Sequence, residues 1–224
     1  MQKKVVTFGE IMLRLSPPGY QRFGQARAFD VIYGGGESNV AVSLAHFGMP
    51  VDFVTRGILE NRTLSEAVDF TRRVRHASGQ NYIIGSPEGI VDLECSANQV
   101  REYTPYPGST LVYHTNHPLI NDDTGQFIAV LDRMPPDQRK VVEEAVNSKT
   151  RLASVKRRLD AVSSVTVDVI KEILQSHDSP DGPVCVHNDR GFTSGSMIME
   201  LCDSPAFHIC FGPPCAGEYQ KLRF

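Results

Sequence analysis

The chain has 224 residues, 41% hydrophobic and 22% charged, a composition that excludes disorder and fibrous repeats and suffices for a buried core. Its formal net charge of −3 gives no electrostatic reason to expect nucleic acid or an anionic membrane as partner. No apolar run approaches the ~20 residues needed to span a bilayer, and the opening Met1-Gln2-Lys3-Lys4 stretch lacks the apolar segment of a secretion signal. The expectation is a cytoplasmic protein. Its five cysteines (Cys95, Cys185, Cys202, Cys210, Cys215) show no CxxC spacing, so buried reduced thiols are expected and no metal or cofactor.

In chain order, Val5 to Leu13 and Phe29 to Tyr33 are predicted strands, separated by the turn Ser16-Pro17-Pro18-Gly19. Gly34-Gly35-Gly36-Glu37-Ser38-Asn39 follows, then a helix whose apolar residues Val40, Leu44 and Phe47 share one face, stopped by Gly48 and Pro50. Val51 to Thr55 returns as a strand. Thr63-Leu64-Ser65-Glu66 is a capping box, opening a helix to about Arg75. Asn81 to Gly85 and Ile90 to Glu94 flank the hairpin turn Ser86-Pro87-Glu88-Gly89, with further strands at 99–103 and 111–114. The polar stretch from Asn121 to Lys149 holds a short helix over 137–145. Helices are predicted at 153–162 and at 167–176, the latter capped by Thr166, and a closing hairpin at 197–201 and 207–211.

Glycines 34 to 36 let backbone approach a ligand closely, and the helix behind them points free N–H groups at it. Ser38 and Asn39 add side-chain donors; a tight strand-to-helix turn is the competing reading. The strings Val5-Val6-Thr7-Phe8-Gly9-Glu10, Tyr33-Gly34-Gly35-Gly36-Glu37-Ser38-Asn39 and Leu44-Ala45-His46-Phe47-Gly48 resemble the start of ribokinase-family sugar kinases, above all 2-keto-3-deoxygluconate kinase, over residues 1–56. The resemblance implies a sugar-acid site at Gly34, Gly35, Gly36, Glu37, Ser38 and Asn39. That family's Gly-Ala-Gly-Asp base motif is missing. Asp122-Asp123-Thr124-Gly125 only echoes it, so kinase activity is not expected.

From residue 57 to 224 the chain resembles the acyl-coenzyme A:6-aminopenicillanate acyltransferase family of N-terminal-nucleophile hydrolases. The matching strings are Ala77-Ser78-Gly79-Gln80-Asn81-Tyr82, Val91-Asp92-Leu93-Glu94, His114-Thr115-Asn116-His117-Pro118-Leu119, Asn147-Ser148-Lys149-Thr150-Arg151 and the tail from Gly212 to Tyr219. The resemblance implies an α+β fold: an incomplete αββα N-terminal-nucleophile-type sandwich preceded by a ribokinase-like strand–helix–strand segment. It implies Asn116 as oxyanion-hole donor, Arg151 as the cation beside the nucleophile and Asn81 in substrate positioning. A turn-making Asn116 and a surface ion pair at Arg151 are the competing readings. His114 and His117 straddle Asn116, but no third ligand is spaced for a metal.

The family's nucleophilic cysteine lies upstream of these motifs, where this chain carries the kinase-like segment without a cysteine; Cys95 falls at an ordinary sheet position. The expectation is therefore an acyltransferase-like or amidohydrolase-like protein with impaired or no activity, acting on a small-molecule acyl thioester or amide. The alternatives are a non-catalytic fusion serving as a binding or assembly module, or a truncated sugar kinase acting on a sugar acid. Nucleic acid and membrane are not expected as partners, and homo-oligomerisation is left open.

Overall fold

The computed structural model describes residues 5–7, 12–16, 30–34, 51–76, 79–143, 147–188 and 191–223. Four strands come first: β1 (Val5–Thr7), β2 (Met12–Ser16), β3 (Asp30–Gly34) and β4 (Val51–Phe53). β1 pairs in parallel with β4, and β2 pairs antiparallel with β3. A parallel pair needs a long crossover between its strands, as a strand–helix–strand unit supplies. The helix predicted at 40–47 lies outside the described residues.

The predicted strand over 51–55 stops at Phe53, where helix α1 (Val54–Leu59) begins. Val54 and Ile58, one helical turn apart, are buried, and the Asn61 side chain donates to the carbonyls of Gly57 (2.6 Å) and Ile58 (3.2 Å). That apolar i, i+4 pair and the carbonyl cap override the β-branched propensity of the stretch. Helix α2 (Leu64–Arg73) starts with the predicted capping box: Thr63 accepts from the Glu66 N–H, and the Glu66 carboxylate accepts from the Thr63 N–H. Gly57 permits close approach of α1 and α2, since a Cβ there would sit 2.1 Å from the Phe70 ring.

Strands β5 (Gln80–Ser86), β6 (Gly89–Cys95) and β7 (Val100–Tyr103) form a sheet in that order, with the hairpin turn where the sequence places it. The strand predicted at 111–114 does not form. The Ser109 hydroxyl donates to the Leu111 carbonyl (2.7 Å) and accepts its N–H (3.1 Å), occupying both groups a ladder would use. Helices α3 (Gly125–Leu131), α4 (Pro136–Glu143), α5 (Asn147–Asp160) and α6 (Val167–Leu174) follow. α3 begins at Gly125, the last residue of the stretch that echoes the kinase motif, and α5 begins six residues ahead of its predicted start at 153. The Thr166 side chain caps α6 as predicted.

The chain ends in a short pair, β8 (His187–Asn188) with β9 (Gly191–Phe192), and a sheet of β10 (Gly195–Glu200), β11 (Ala206–Phe211) and β12 (Gln220–Arg223). Alternation sends Ile198, Ala206, His208 and Cys210 to the covered face and leaves Met197, Met199 and Phe211 exposed. The architecture is thus mixed helix and strand with several small sheets. The chain divides into two compact units, residues 1–84 with 94–101, and residues 85–93 with 102–224. The sequence boundary at 56/57 falls inside α1. No helix among the described residues is long and apolar enough to cross a membrane.

On the covered face of the terminal sheet, Glu200 Oε1 accepts from Lys221 Nζ (2.8 Å) and bonds His208 Nε2 (2.7 Å). Lys221 first, and His208 with it, hold the Glu200 carboxyl down to about 2. A folded-state value below the unfolded one stabilises the fold above the ordinary carboxylate range and is lost as pH falls toward that lowered value. Urea midpoints measured from about pH 5 down to about pH 2 should therefore fall less steeply for Glu200→Gln than for wild type. Equal slopes would show that this contact contributes nothing to acid stability.

Candidate functional site

Asn116 and Arg151 meet in the second unit. The loop His114–His117 lies against the first turn of α5, and Ser148 on that turn is its anchor. The Asn116 backbone N–H donates to Ser148 Oγ at 2.7 Å. The Thr115 hydroxyl donates to the Ser148 carbonyl at 2.9 Å, while Ser148 Oγ lies 3.0 Å from Thr115 Oγ1 and 2.8 Å from His117 Nδ1. His114 Nδ1 contacts the Thr115 carbonyl at 2.5 Å, and its ring packs edge-on against Tyr103.

Arg151 Nη2 donates to Asn116 Oδ1 at 2.5 Å, and Arg151 Nε donates to Asn147 Oδ1 at the same distance. A guanidinium has donors only, so its contact fixes which end of the Asn116 amide it faces: the oxygen. The amide nitrogen, with its two N–H groups, is left for another acceptor, and none takes it among the described residues. Partial burial draws the Arg151 value down from its usual position. A guanidinium stays charged through such shifts, so the orienting contact persists across the working pH range.

A neutral amide aimed outward beside a half-buried cation is suited to stabilising negative charge on a carbonyl oxygen. Ser148 is the residue that sequence reasoning passed over, although it lies in the quoted Asn147-Ser148-x-x-Arg151 string. Its i, i+3 spacing from Arg151 places both on one side of a helix. A serine hydroxyl 2.8 Å from an imidazole nitrogen is half of a nucleophile–base arrangement. Here the same oxygen also accepts the Asn116 N–H and contacts Thr115 Oγ1, which makes Ser148 a positioning residue for the loop.

Asn81 lies on β5 in the first unit, its side-chain oxygen buried without a hydrogen-bond partner among the described residues. Gly34 closes β3 opposite Met12, whereas Gly35, Gly36, Glu37, Ser38 and Asn39 lie outside the described residues. A groove of about 580 Å³ lined by Tyr106, Leu111, Tyr113, Leu159 and Val162 sits at the far end of α5. From Ser148 to Leu159 the helix rises roughly 16 Å, so that groove does not share a reacting atom with Asn116.

The acyl-coenzyme A:6-aminopenicillanic acid acyl-transferase family matches residues 40–195, which include Asn81, Asn116, Ser148 and Arg151. The chain belongs to this family. The match begins inside the segment read as kinase-like from the sequence. A 2-dehydro-3-deoxygalactonokinase of Haloferax volcanii is 41% identical over 56 residues, which are 25% of this chain and 18% of that protein. The chain therefore matches less than a fifth of that kinase's length. A carbohydrate kinase of the PfkB family from Listeria grayi aligns over 99% of this chain and 80% of its own, at 14% identity and a TM-score of 0.24. The 2-dehydro-3-deoxygluconokinase of Thermotoga maritima aligns over 100% and 80%, at 19% identity and 0.23. Scores this low do not establish a shared fold.

Ser148→Ala removes the acceptor for the Asn116 N–H and both side-chain contacts to Thr115 and His117. The expected cost is about 1 kcal/mol, because the half-buried Thr115 and His117 side chains lose a partner together with the exposed Asn116 N–H. Urea denaturation measures it. A change under about 0.5 kcal/mol, the usual range for an inconsequential surface substitution, would show that Ser148 does not anchor the loop.

Proposed function

We propose that this chain is an acyltransferase-like or amidohydrolase-like protein of the N-terminal-nucleophile class. Its oxyanion donor is Asn116, oriented by Arg151, and its nucleophilic cysteine is missing. The single observation that carries this reading is the Arg151–Asn116 contact, which engages the amide oxygen and so supports a role for the amide N–H groups as donors to a carbonyl oxygen. The family match supports a small-molecule substrate, which in this reading is an acyl thioester or amide. In this reading residues 57–224 are the later part of an αββα sandwich, and Asn81 helps position substrate. Residues 1–56 are a ribokinase-like segment whose turn Gly34 to Asn39 would hold a sugar acid, without the base needed to phosphorylate it. Among the described residues, the hydrogen bonds of Asn116, Ser148 and Arg151 run to oxygen and nitrogen partners.

Catalysis that lacks its nucleophile retains only what oxyanion donors and binding supply, on the order of 10³-fold over water. The test is hydrolysis and transfer with a panel of acyl-coenzyme A thioesters and simple amides, using wild type, Cys95→Ala, Ser148→Ala and Asn116→Ala. Wild type is expected to show at most that residual rate, unchanged by Cys95→Ala and lowered about 10²-fold or more by Asn116→Ala. Turnover abolished by Cys95→Ala would make that thiol the nucleophile and overturn the missing-nucleophile reading. Strong turnover abolished by Ser148→Ala, with KM unchanged, would overturn it in favour of a serine nucleophile. A residual rate indifferent to Asn116→Ala would remove the oxyanion assignment itself.

A further inference from the structure

On the far side of α6 from its cap, three soft ligand residues converge from segments distant in sequence. His177 follows the helix, Cys185 lies on the loop before β8, and Cys215 sits in the turn after β11. One ligand atom from each lies within 4.8 Å of the others, and the two sulfurs are 3.4 Å apart. Both thiols are free. His187, on β8, stacks its ring edge-on with that of His177, their centroids 4.8 Å apart.

The backbone around these side chains is tied down. Gln175 Nε2 donates to the Pro214 carbonyl at 3.0 Å, linking the end of α6 to the turn that carries Cys215. The Cys185 N–H donates to the Ser176 carbonyl at 3.0 Å, placing Cys185 beside the residue before His177. On the other side of His177, Asp178 bonds Ser154, Arg157 and Arg158 of α5. The ligands are thus held by hydrogen bonds outside the cluster, as the supporting shell of a metal site holds its donors.

We propose that His177, Cys185 and Cys215 bind a zinc-class divalent cation, with His187 within reach as the fourth ligand. Tetrahedral bond lengths of about 2.3 Å to sulfur and 2.0–2.1 Å to nitrogen make the edges of such a site roughly 3.5–3.8 Å. The sulfur pair already has nearly that separation, and the imidazole nitrogen closes the remaining gap by a shift of about 1 Å. The donor chemistry also fits: two thiolates and a neutral imidazole select zinc over the hard cations magnesium and calcium. Burial and the neighbouring Cys185 thiol both push the Cys215 thiol up from its usual value. Thiols ligate as thiolates, so binding releases protons and strengthens as pH rises.

The experiment uses the full chain, reduced and then freed of reductant without air. It is titrated with cobalt(II) as a spectroscopic stand-in, then with zinc. One equivalent should give a thiolate-to-cobalt charge-transfer band with tetrahedral visible bands, both displaced by zinc. Zinc should also raise the Tm. Cys215→Ser and His177→Ala change exposed positions that carry no core packing, and each should weaken binding by at least about 100-fold, the upper range for losing a supporting residue. Cys202→Ser, whose thiol bonds the Ser204 carbonyl elsewhere, should bind like wild type. The proposal is overturned if reduced wild type takes up neither metal. It is equally overturned if cobalt binds but Cys215→Ser and His177→Ala bind it as tightly, or if Cys185 and Cys215 are joined as a disulfide that persists under reductant.

Discussion

Both sites of the second unit depend on helix α5 being held where it is. Its first turn fixes the Asn116 loop through Ser148, and its later turns grip Asp178 through Ser154, Arg157 and Arg158. Gly182 lies against the same first turn so closely that a Cβ would meet Thr150 Cβ at 2.9 Å and the Asn147 carbonyl at 3.0 Å. The segment from Asp178 to Gly182 is therefore clamped to α5 at two points. That segment runs between His177 and Cys185. A shift of α5 along its axis would move the Asn116 amide and the thiol–imidazole cluster together.

The clamp is electrostatic as well as steric. Arg158 first, then Ser154 and Arg157, hold the Asp178 carboxyl well below the usual carboxylate range. A carboxylate that accepts from two guanidinium groups and a hydroxyl stays ionised below the pH at which ordinary carboxylates take up a proton. Lys156 and Asp160 pair on the same helix at 2.5 Å, but that contact is exposed and contributes little. The distinction matters for function, because the shared Asp178 contact links α5 to another segment whereas the Lys156–Asp160 pair stays within the helix.

Legibility in the sequence followed the range of the interactions. The Thr63–Glu66 capping box, the Thr166 cap and the hairpins at 86–89 and 201–205 are encoded within a few residues, and each stands where the pattern put it. The strand expected at 111–114 was lost to one local competitor, the Ser109 hydroxyl, which periodicity does not register. Strand β12 hid in a Gly/Pro tail because its support, pairing with β11 and the Lys221–Glu200 contact, comes from residues distant in sequence. The proximity of Asn116 and Arg151 was legible through motif strings that resemble the acyltransferase family, not through local propensity. Ser148 sat in one of those strings, yet its role rests on contacts thirty-odd residues away in the chain, and only the fold displays them. The His177, Cys185 and Cys215 cluster had no signal at all. Metal spacing rules describe ligands sharing a turn, and these three arrive from a helix end, a loop and a sheet turn.

The opening segment raises a different constraint. A piece of ~55 residues can bury too little apolar surface to hold itself together. Contacts group it with more than its own resemblance covers: the first compact unit joins residues 1–84 with 94–101. Within that unit the described core side chains are Val54, Ile58, Ala67, Ile84 and Cys95, and only Val54 precedes residue 57. Val54 and Ile58 form one buried pair on α1, so dividing the chain at 56/57 would split the pair and break the helix between them. The family match, which starts at residue 40, crosses the same point without interruption. Whatever brought the two resemblances into one chain, the core described here is built from residues on both sides of the place where they meet.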